Sequence, residues 1–346
     1  MTLKRLVSVL IITFFMFVSV SCSMFGSTTQ KYINAFKNTE SAKTMQTRTQ
    51  LKVKVDLSKA SDEIKEYLDQ FKDITLNVDG SIDKRNNKQE ASYYLSAGNI
   101  MTNFNVYVDE DNIYLKSSFP DTGNKYLKLD PENSGLIVTQ DSESFAEYNK
   151  FYNELVGIWK QSIQGEILES EGNSIESTPD GEIKVTQLSL ELTDQKTKNI
   201  LDKLTNLAAK SEVIKKSSIE NGKMFAPEDI SDEVIEKGTK EFFENLPQNI
   251  GKYMEKFTIE KLKLTAKIDK DQYIIDETIE VEALINDDDA GEIRISFDIY
   301  TTRWNIDKDI KLSIPEINED DTVSEDEFQE EALKFYKEFI NSKEQN

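Results

Sequence analysis

The feature that most constrains this chain is an alternation of apolar and polar residues that recurs in short runs. Successive side chains of a β-strand point to opposite faces of a sheet, so each run predicts a strand with one buried face. Segments rich in Asp, Asn and Gly separate the runs and favour hairpin turns. The runs lie at residues 51–57, 74–78, 91–95, 104–108, 113–115 and 127–129. This part of the chain is therefore predicted to be an antiparallel meander.

The second part of the chain repeats the alternation and adds longer helices. Alternating runs lie at residues 183–192, 262–268, 279–283, 293–299 and 310–314. Apolar residues three and four apart predict helices at residues 31–44, 61–71, 142–164, 197–213 and 231–257, and Pro247 is expected to break or restart the last one. Together these elements predict an α+β fold. The pattern predicts one or two curved antiparallel sheets, each with amphipathic helices covering its apolar face.

The first 22 residues, MTLKRLVSVLIITFFMFVSVSC, indicate where the protein works. Lys4 and Arg5 precede an apolar segment at residues 6–20, which is the layout of a secretory signal peptide over residues 1–21. The junction Ser-Val-Ser-Cys resembles the lipobox of bacterial lipoproteins and places the single cysteine, Cys22, at the cleavage site. The resemblance implies a diacylglyceryl group with fatty acyl chains such as palmitate on Cys22, and two chains anchor a protein stably. The alternative is an ordinary signal peptide whose cysteine is incidental.

The rest of the chain is predicted to have three parts. Residues 22–29 are the lipidated cysteine and a short tether. Residues 30–315 form the sheet and helices, either as one unit or as two similar halves at 30–164 and 165–315. Residues 316–346 are an acidic linker and a C-terminal amphipathic helix, which begins with a capping box from Ser324 to Glu327.

Composition excludes several classes of function. The formal net charge of −22 repels phosphates, so no nucleic acid partner is expected. The chain has no histidine, which excludes Ser-His-Asp, Cys-His and His-zinc sites. The segment KIDKDQYIIDETI has part of the carboxylate spacing of a calcium loop. Ile274 stands where that loop needs Gly, so a hairpin with its tip at residues 269–272 is predicted instead. No catalytic residues, metal or cofactor are predicted, and the chain is not expected to be an enzyme.

Three segments carry a resemblance to a known family. They are FNVYVDEDNIYLK, TPDGEIKVTQLSLELT and KLKLTAKIDKDQYIIDETIEVEALI. Together with the acylated cysteine and the leading helix, they resemble the LolA-like superfamily of bacterial envelope lipoproteins and lipoprotein carriers. The resemblance implies a half-open β-barrel whose concavity holds helices as a lid over an apolar cavity. Several members of that family bind acyl chains there.

Two sets of mainly aromatic residues are candidate binding sites. One lies on a single stripe of the helix predicted at 142–164 and is either a ligand lid or permanent core: Phe145, Tyr148, Tyr152, Leu155 and Trp159. The other set has one tyrosine on each of four successive strands, at positions that alternate with the aliphatic residues. These tyrosines are expected to form a row across the sheet face opposite the aliphatic one: Tyr94, Tyr107, Tyr114 and Tyr126. Tyrosine favours solvated sheet faces, so these residues are either ordinary strand formers or an aromatic strip for a glycan, a peptide or a partner surface.

The leading functional prediction is a non-enzymatic surface lipoprotein on the extracytoplasmic face of the cell membrane. It binds an apolar ligand, a lipid or acyl chain, between its sheet and its helices. The alternative is a structural or interaction module that positions an envelope protein partner at the membrane. The same apolar stripes would build either a ligand cavity or a closed core.

The predicted anchor can be tested by replacing its cysteine. Cys22→Ala removes the thiol that carries the lipid, so the protein should accumulate as an uncleaved precursor or as a released soluble form. Membrane fractionation and mass spectrometry of the mature N-terminus measure both outcomes. A variant that is cleaved at the same bond and fractionates with membranes like the parent would contradict the lipobox assignment.

Overall fold

The computed structural model describes ten stretches of the chain. They are residues 28–69, 72–98, 100–110, 112–118, 125–129, 143–164, 166–224, 230–287, 290–324 and 327–328. The predicted signal peptide, Cys22 and most of the predicted C-terminal helix lie outside these residues.

Twelve strands of the described stretches form one sheet. Their bounds are β1 Thr44–Ala60, β2 Asp73–Asp83, β3 Lys88–Ala97, β4 Ile100–Asp109, β5 Asn112–Ser117, β6 Tyr126–Leu129, β7 Ile167–Thr178, β8 Gly181–Glu191, β9 Phe257–Ile268, β10 Ile274–Asp287, β11 Gly291–Trp304 and β12 Thr322–Val323. Their order across the sheet is β12-β6-β5-β4-β3-β2-β1-β11-β10-β9-β8-β7. Neighbours are antiparallel except that β12 runs parallel to β6. The predicted fold class, an α+β protein with an open antiparallel sheet and helices, is confirmed.

The two meanders meet where β1 pairs with β11. The ladder runs from Gln46 opposite Trp304 to Ala60 opposite Gly291, with one register shift between Asp56 and Lys59. Because this pairing is continuous with the meanders on either side, both predicted halves belong to the same sheet.

The described chain also contains six α-helices, the first of which precedes β1. They are α1 Thr28–Ser41, α2 Asp62–Leu68, α3 Glu143–Ile163, α4 Asp194–Lys210, α5 Glu212–Met224 and α6 Asp232–Met254. A short 3₁₀ helix, Glu319–Asp321, precedes β12. In the part of the chain that the structure describes, none of the helices has the length and apolar character needed to cross a bilayer.

One main core joins helices α1, α3 and α4 to the sheet. Tyr32 and Phe36 of α1, Leu155 of α3 and Leu204 of α4 are buried against residues of β1 and β8–β11. We call the sheet face that the helices cover the inner face and the opposite face the outer face. A second cluster, Phe243, Leu246 and Ile250 of α6, packs against α4 and α5.

Two local predictions are confirmed. Ile274 pairs with Ile268, so the acidic segment at residues 269–273 is a hairpin turn. The Ser324 backbone N–H donates to Glu327 Oε2 at 3.1 Å, and the Glu327 N–H donates to Ser324 Oγ at 3.2 Å. This reciprocal pair is the predicted capping box.

The prediction that Pro247 breaks or restarts a helix is wrong. Helix α6 continues through Pro247 to Met254. A proline inside a helix removes one hydrogen bond and costs about 3 kcal/mol. Leu246 and Ile250 flank the proline and are both buried in the second cluster, so tertiary packing offsets that cost.

The boundaries of three other segments also need correction. Residues 310–314 were expected to be a strand but are irregular. The Glu90 carboxylate of β3 holds this segment by accepting a hydrogen bond from the Ser313 N–H at 2.6 Å. Helix α1 begins inside the predicted tether, and the predicted acidic linker contributes β12 to the sheet.

The β10–β11 turn contains a testable steric constraint at Gly291. Its φ of +82° lies in the left-handed region, and an added Cβ would lie 2.4 Å from the Lys59 carbonyl oxygen. Gly181 has a φ of +104° with no atom within 4 Å of an added Cβ, so it is the matched control. Gly181→Ala should lower the free energy of unfolding by about 1–2 kcal/mol through backbone strain alone.

Gly291→Ala should lower it by clearly more, because the clash with Lys59 adds to the strain. Chemical denaturation of both variants measures the difference. Equal losses would show that the β1–β11 ladder accommodates the methyl group at Gly291.

Candidate functional site

The inner face of the sheet is unevenly covered. Its apolar residues on β9 and β11 are almost completely buried: Leu262, Leu264, Ile293, Ile295, Phe297 and Ile299. These strands lie beneath the helices of the main core. On the other side of β1, most inner-face residues of β2, β3 and β4 are only partly buried, although Ala91, Ala97 and Val108 are buried.

We call four of these partly buried residues the inner-face strip: Val78, Tyr93, Leu95 and Phe104. The strand register places Val78 opposite Tyr93, and Tyr93 opposite Phe104. The Tyr93 and Phe104 rings stack at a centroid distance of 4.5 Å with an interplanar angle of 8°. Burial raises the pKa of Tyr93, as expected for a phenol on an apolar surface. The strip is therefore a continuous apolar surface that is not fully packed.

Small residues border the strip on one side. Gly80 and Ala91 pair with each other two positions along the strands from Val78 and Tyr93. A Cβ at Gly80 would lie 3.1 Å from Thr47 Oγ1, so a larger residue would crowd β1. Because these two residues are small, they project little from the sheet beside the strip.

A buried ion pair lies on the inner face at the same level. Arg303 of β11 is opposite Thr47, which is opposite Gly80. Its Nη2 lies 3.1 Å from Glu277 Oε2, and the two side chains are only 13% and 11% exposed. Arg303 Nη1 is also buried and has no hydrogen-bond partner among the described residues. A buried N–H without a partner is uncommon and marks a position where a ligand or water acceptor would be favourable.

Helix α1 supplies the third member of this cluster. The Tyr32 hydroxyl donates to Glu277 Oε1 at 3.1 Å. Burial, followed by the charge of Glu277, raises the pKa of Tyr32 well above its ordinary value. Tyr32 therefore stays protonated and remains a hydrogen-bond donor over the physiological range.

Two further hydrogen bonds attach α1 to the sheet. Thr39 Oγ1 accepts a hydrogen bond from the Ile274 N–H at 2.9 Å. Asn38 Nδ2 donates to the Gln272 carbonyl oxygen at 3.2 Å. Together with Tyr32, these contacts fix α1 to the β9–β10 hairpin.

The residues of the predicted lid stripe lie on α3. Leu155 and Trp159 are buried in the main core, and Trp159 is 7% exposed. Tyr152 packs against this core, and its hydroxyl donates to Glu40 Oε2 at 3.3 Å. The side chains of Phe145 and Tyr148 lie outside the described residues. Sequence reasoning missed two other buried residues of the same face, Phe151 and Val156.

The predicted row of strand tyrosines is not a single row. All four lie on the outer face, with Tyr107 opposite Tyr114. The Tyr126 ring lies 6.1 Å from the Tyr107 ring in an edge-on arrangement. Tyr94 is four residues along β3 from the partner of Tyr107, and it pairs with Asn103 instead. The pattern of alternating residues gave the face but not the register.

Sequence reasoning also missed the Arg303, Glu277 and Tyr32 cluster. Arg303 and Glu277 stand at positions that face the inner side of the sheet, as the apolar residues Ile299 and Ile279 of the same strands do. A charged residue at such a position was the sequence signal for the cluster. The described residues contain no group of three or more cysteine or carboxylate side chains that could hold a metal ion.

Comparisons with known proteins add little to this geometry. No protein-family model matches the chain, and no curated protein sequence matches it. Among solved structures, the chain is similar to a β-barrel-like protein of a domain of unknown function from Brucella abortus. The TM-score is 0.19 with 9% identity, over 74% of this chain and 97% of that one. A similarity this low carries no inference about function, so the fold class rests on the sheet topology of the chain itself.

The buried ion pair should be important for stability. Glu277→Gln leaves the Arg303 charge buried without a counter-charge, and breaking a buried pair costs about 3–5 kcal/mol. The matched control is Asp79→Asn, which breaks an outer-face pair with Arg48 whose side chains are 53% and 67% exposed. That change should cost at most about 1 kcal/mol.

Chemical denaturation at neutral pH measures both losses of unfolding free energy. If Glu277→Gln costs no more than Asp79→Asn, the Arg303–Glu277 pair is accessible to water and is not part of a closed site.

Proposed function

We propose that this chain is a non-enzymatic lipoprotein, anchored through Cys22 to the extracytoplasmic face of the cell membrane. It binds a lipid or acyl chain on the inner-face strip, between the sheet and the helices. The observation that carries the proposal is the uneven covering of the inner face. Apolar residues of β9 and β11 are buried by helices, whereas Leu95 and Phe104 of the strip are only partly buried. An apolar surface that a protein leaves incompletely packed is a suitable ligand surface.

The polar cluster at the border of the strip supports the proposal. Arg303 Nη1 can donate to an oxygen of the ligand's polar end without breaking the pair with Glu277. The sheet register places Gly80 two strands from Arg303, roughly 10 Å away at the usual strand spacing. An acyl chain on the strip would therefore have a hydrogen-bond donor near one of its ends.

The resemblance to LolA-like lipoproteins supports the same proposal, since helices of that family act as a lid. We assign the moving element to α3 rather than α1. Helix α1 is attached to the sheet through Tyr32, Asn38 and Thr39. Helix α3 contributes mainly apolar side chains such as Leu155 and Trp159 to the interface. Apolar packing is not directional, so a ligand can replace it.

A second candidate function is an interaction module that positions an envelope protein at the membrane. The observation that favours it is the burial of Leu155, Trp159 and Ile163, which shows that α3 fills the main core. A permanently filled core would leave no space between α3 and the sheet for an acyl chain.

Photolabelling of the lipidated protein in its own membrane separates the two functions. An acyl lipid carrying a diazirine should label peptides of β2–β4. Leu95→Asn should lower labelling at subsaturating lipid by about tenfold, because burying a leucine side chain contributes about 1.5–3 kcal/mol. Met101→Asn is the matched control, since Met101 is 70% exposed on the outer face of β4.

Labelling that avoids β2–β4, or that is unchanged by Leu95→Asn, would reject the carrier function and leave the interaction module. A parallel measurement of unfolding free energy shows whether Leu95→Asn remains folded under the labelling conditions.

A further inference from the structure

One row of side chains crosses the outer face without any charge. Through the strand register, each residue of this row lies directly opposite the next one on the neighbouring strand. We call it the uncharged row: Ser189, Thr265, Thr278, Tyr300, Gln50, Asn77, Tyr94, Asn103 and Ser118. The last contact, between β4 and the residue after β5, is made by the Ser118 N–H, which donates to the Asn103 carbonyl oxygen at 3.0 Å. The row spans strands β8 to β5 and lies on the side of the sheet away from the helices.

The absence of charge in this row is unusual for this chain. Charged residues make up 31% of the sequence, and the net charge is −22. The adjacent row on one side contains Glu191, Lys263, Glu280, Asp298 and Lys52. The adjacent row on the other side contains Lys267, Asp276, Arg48 and Asp79. Both flanking rows are therefore charged, and the row between them suits an uncharged ligand.

Two tyrosines of the row present their rings to solvent. Tyr94 is 43% exposed and Tyr300 is 40% exposed. The Tyr94 hydroxyl donates to Met101 Sδ at 3.2 Å, and the Lys52 ammonium lies 5.6 Å from the centre of the Tyr300 ring. Between the tyrosines, Gln50 Nε2 donates to Asn77 Oδ1 at 2.7 Å. Rigid aromatic rings beside amides and hydroxyls combine apolar contact area with adaptable hydrogen bonding.

The dimensions of the row favour a linear ligand over a folded protein. Nine positions at the usual strand spacing give a strip about 38 Å long and about 7 Å wide. Its area of about 270 Å² is well below the roughly 800 Å² that each partner buries in a stable protein interface. An extended peptide binds sheets by pairing with a free strand edge, but the strands that carry Gln50, Asn77 and Tyr94 have both edges paired.

We propose that the uncharged row is a binding site for a linear, uncharged glycan. The sugar rings stack on Tyr94 and Tyr300, and the hydroxyl groups of the glycan pair with Gln50, Asn77 and Asn103. Anionic polymers are disfavoured because no residue of the row is cationic and the whole chain is strongly acidic, although the Lys52 ammonium of the flanking row lies near the Tyr300 ring. The site is on the face opposite the inner-face strip, so it does not depend on the proposed lipid-binding function.

Calorimetric titration of the full-length lipidated protein in nanodiscs tests this site. The probes are hexamers of β-1,4-linked N-acetylglucosamine and of β-1,4-linked glucose, with oligogalacturonate as an anionic control. At least one neutral hexamer should bind saturably, and the anionic control should not. Tyr94→Ala and Tyr300→Ala should each weaken binding by about tenfold or more, as expected for an aromatic residue at the centre of a binding site.

Matched variants separate ring stacking from general effects on the sheet. Tyr94→Phe keeps the ring and should retain most of the affinity. Tyr114→Ala removes a tyrosine of the same face outside the row and should bind like the parent. Asn103→Asp adds a carboxylate to the row and should weaken binding. The proposal is overturned if neither neutral hexamer binds, if oligogalacturonate binds as well as they do, or if Tyr94→Ala and Tyr300→Ala bind like the parent.

Discussion

The pairing of β1 with β11 is the interaction on which the rest of the structure depends. It joins residues from opposite ends of the described chain, since Gln46 lies opposite Trp304. Without it, the two meanders would be separate sheets, each with a long unpaired edge that invites association with other chains. The pairing also sets the register of both sheet faces. Thr47 lies between Arg303 and Gly80 for that reason, and Gln50 lies between Tyr300 and Asn77.

The two faces of this sheet have different physical characters. Helices α1, α3 and α4 bury the inner face of β8–β11, while β2–β4 keep a partly buried apolar strip beside a buried ion pair. The outer face is polar and has one uncharged row between charged rows. A sheet that is solvated on one face and packed on the other permits both arrangements in the same twelve strands. The lipid and glycan sites that we propose therefore do not compete for the same surface.

The local sequence pattern predicted an element correctly where short-range interactions decide its structure. Alternation located ten of the twelve strands in the described chain, and the capping box at Ser324 and Glu327 was visible in the sequence. The pattern gave a wrong prediction, or none, where contacts with residues distant in the sequence decide the structure. The edge strand β7 was missed because its sequence, ILESEGNSIEST, has too few apolar residues to alternate. The run at residues 310–314 alternates but is irregular, and its Ser313 N–H donates to the Glu90 side chain. Helix α6 passes through Pro247 because its neighbours are buried against α4 and α5.

The sequence by itself determined the α+β class, the periods of the main elements and the face on which each strand residue lies, because these follow from the local backbone geometry of helices and strands. It also carries the charge that repels nucleic acid. Only the tertiary structure decided which residues of different strands lie opposite each other. Tyr94 lies apart from Tyr107 and opposite Asn77 and Asn103, and Glu277 contacts Arg303 and Tyr32. Such neighbours depend on strand order and register, and a one-residue change of register would move every side chain of a strand to the other face.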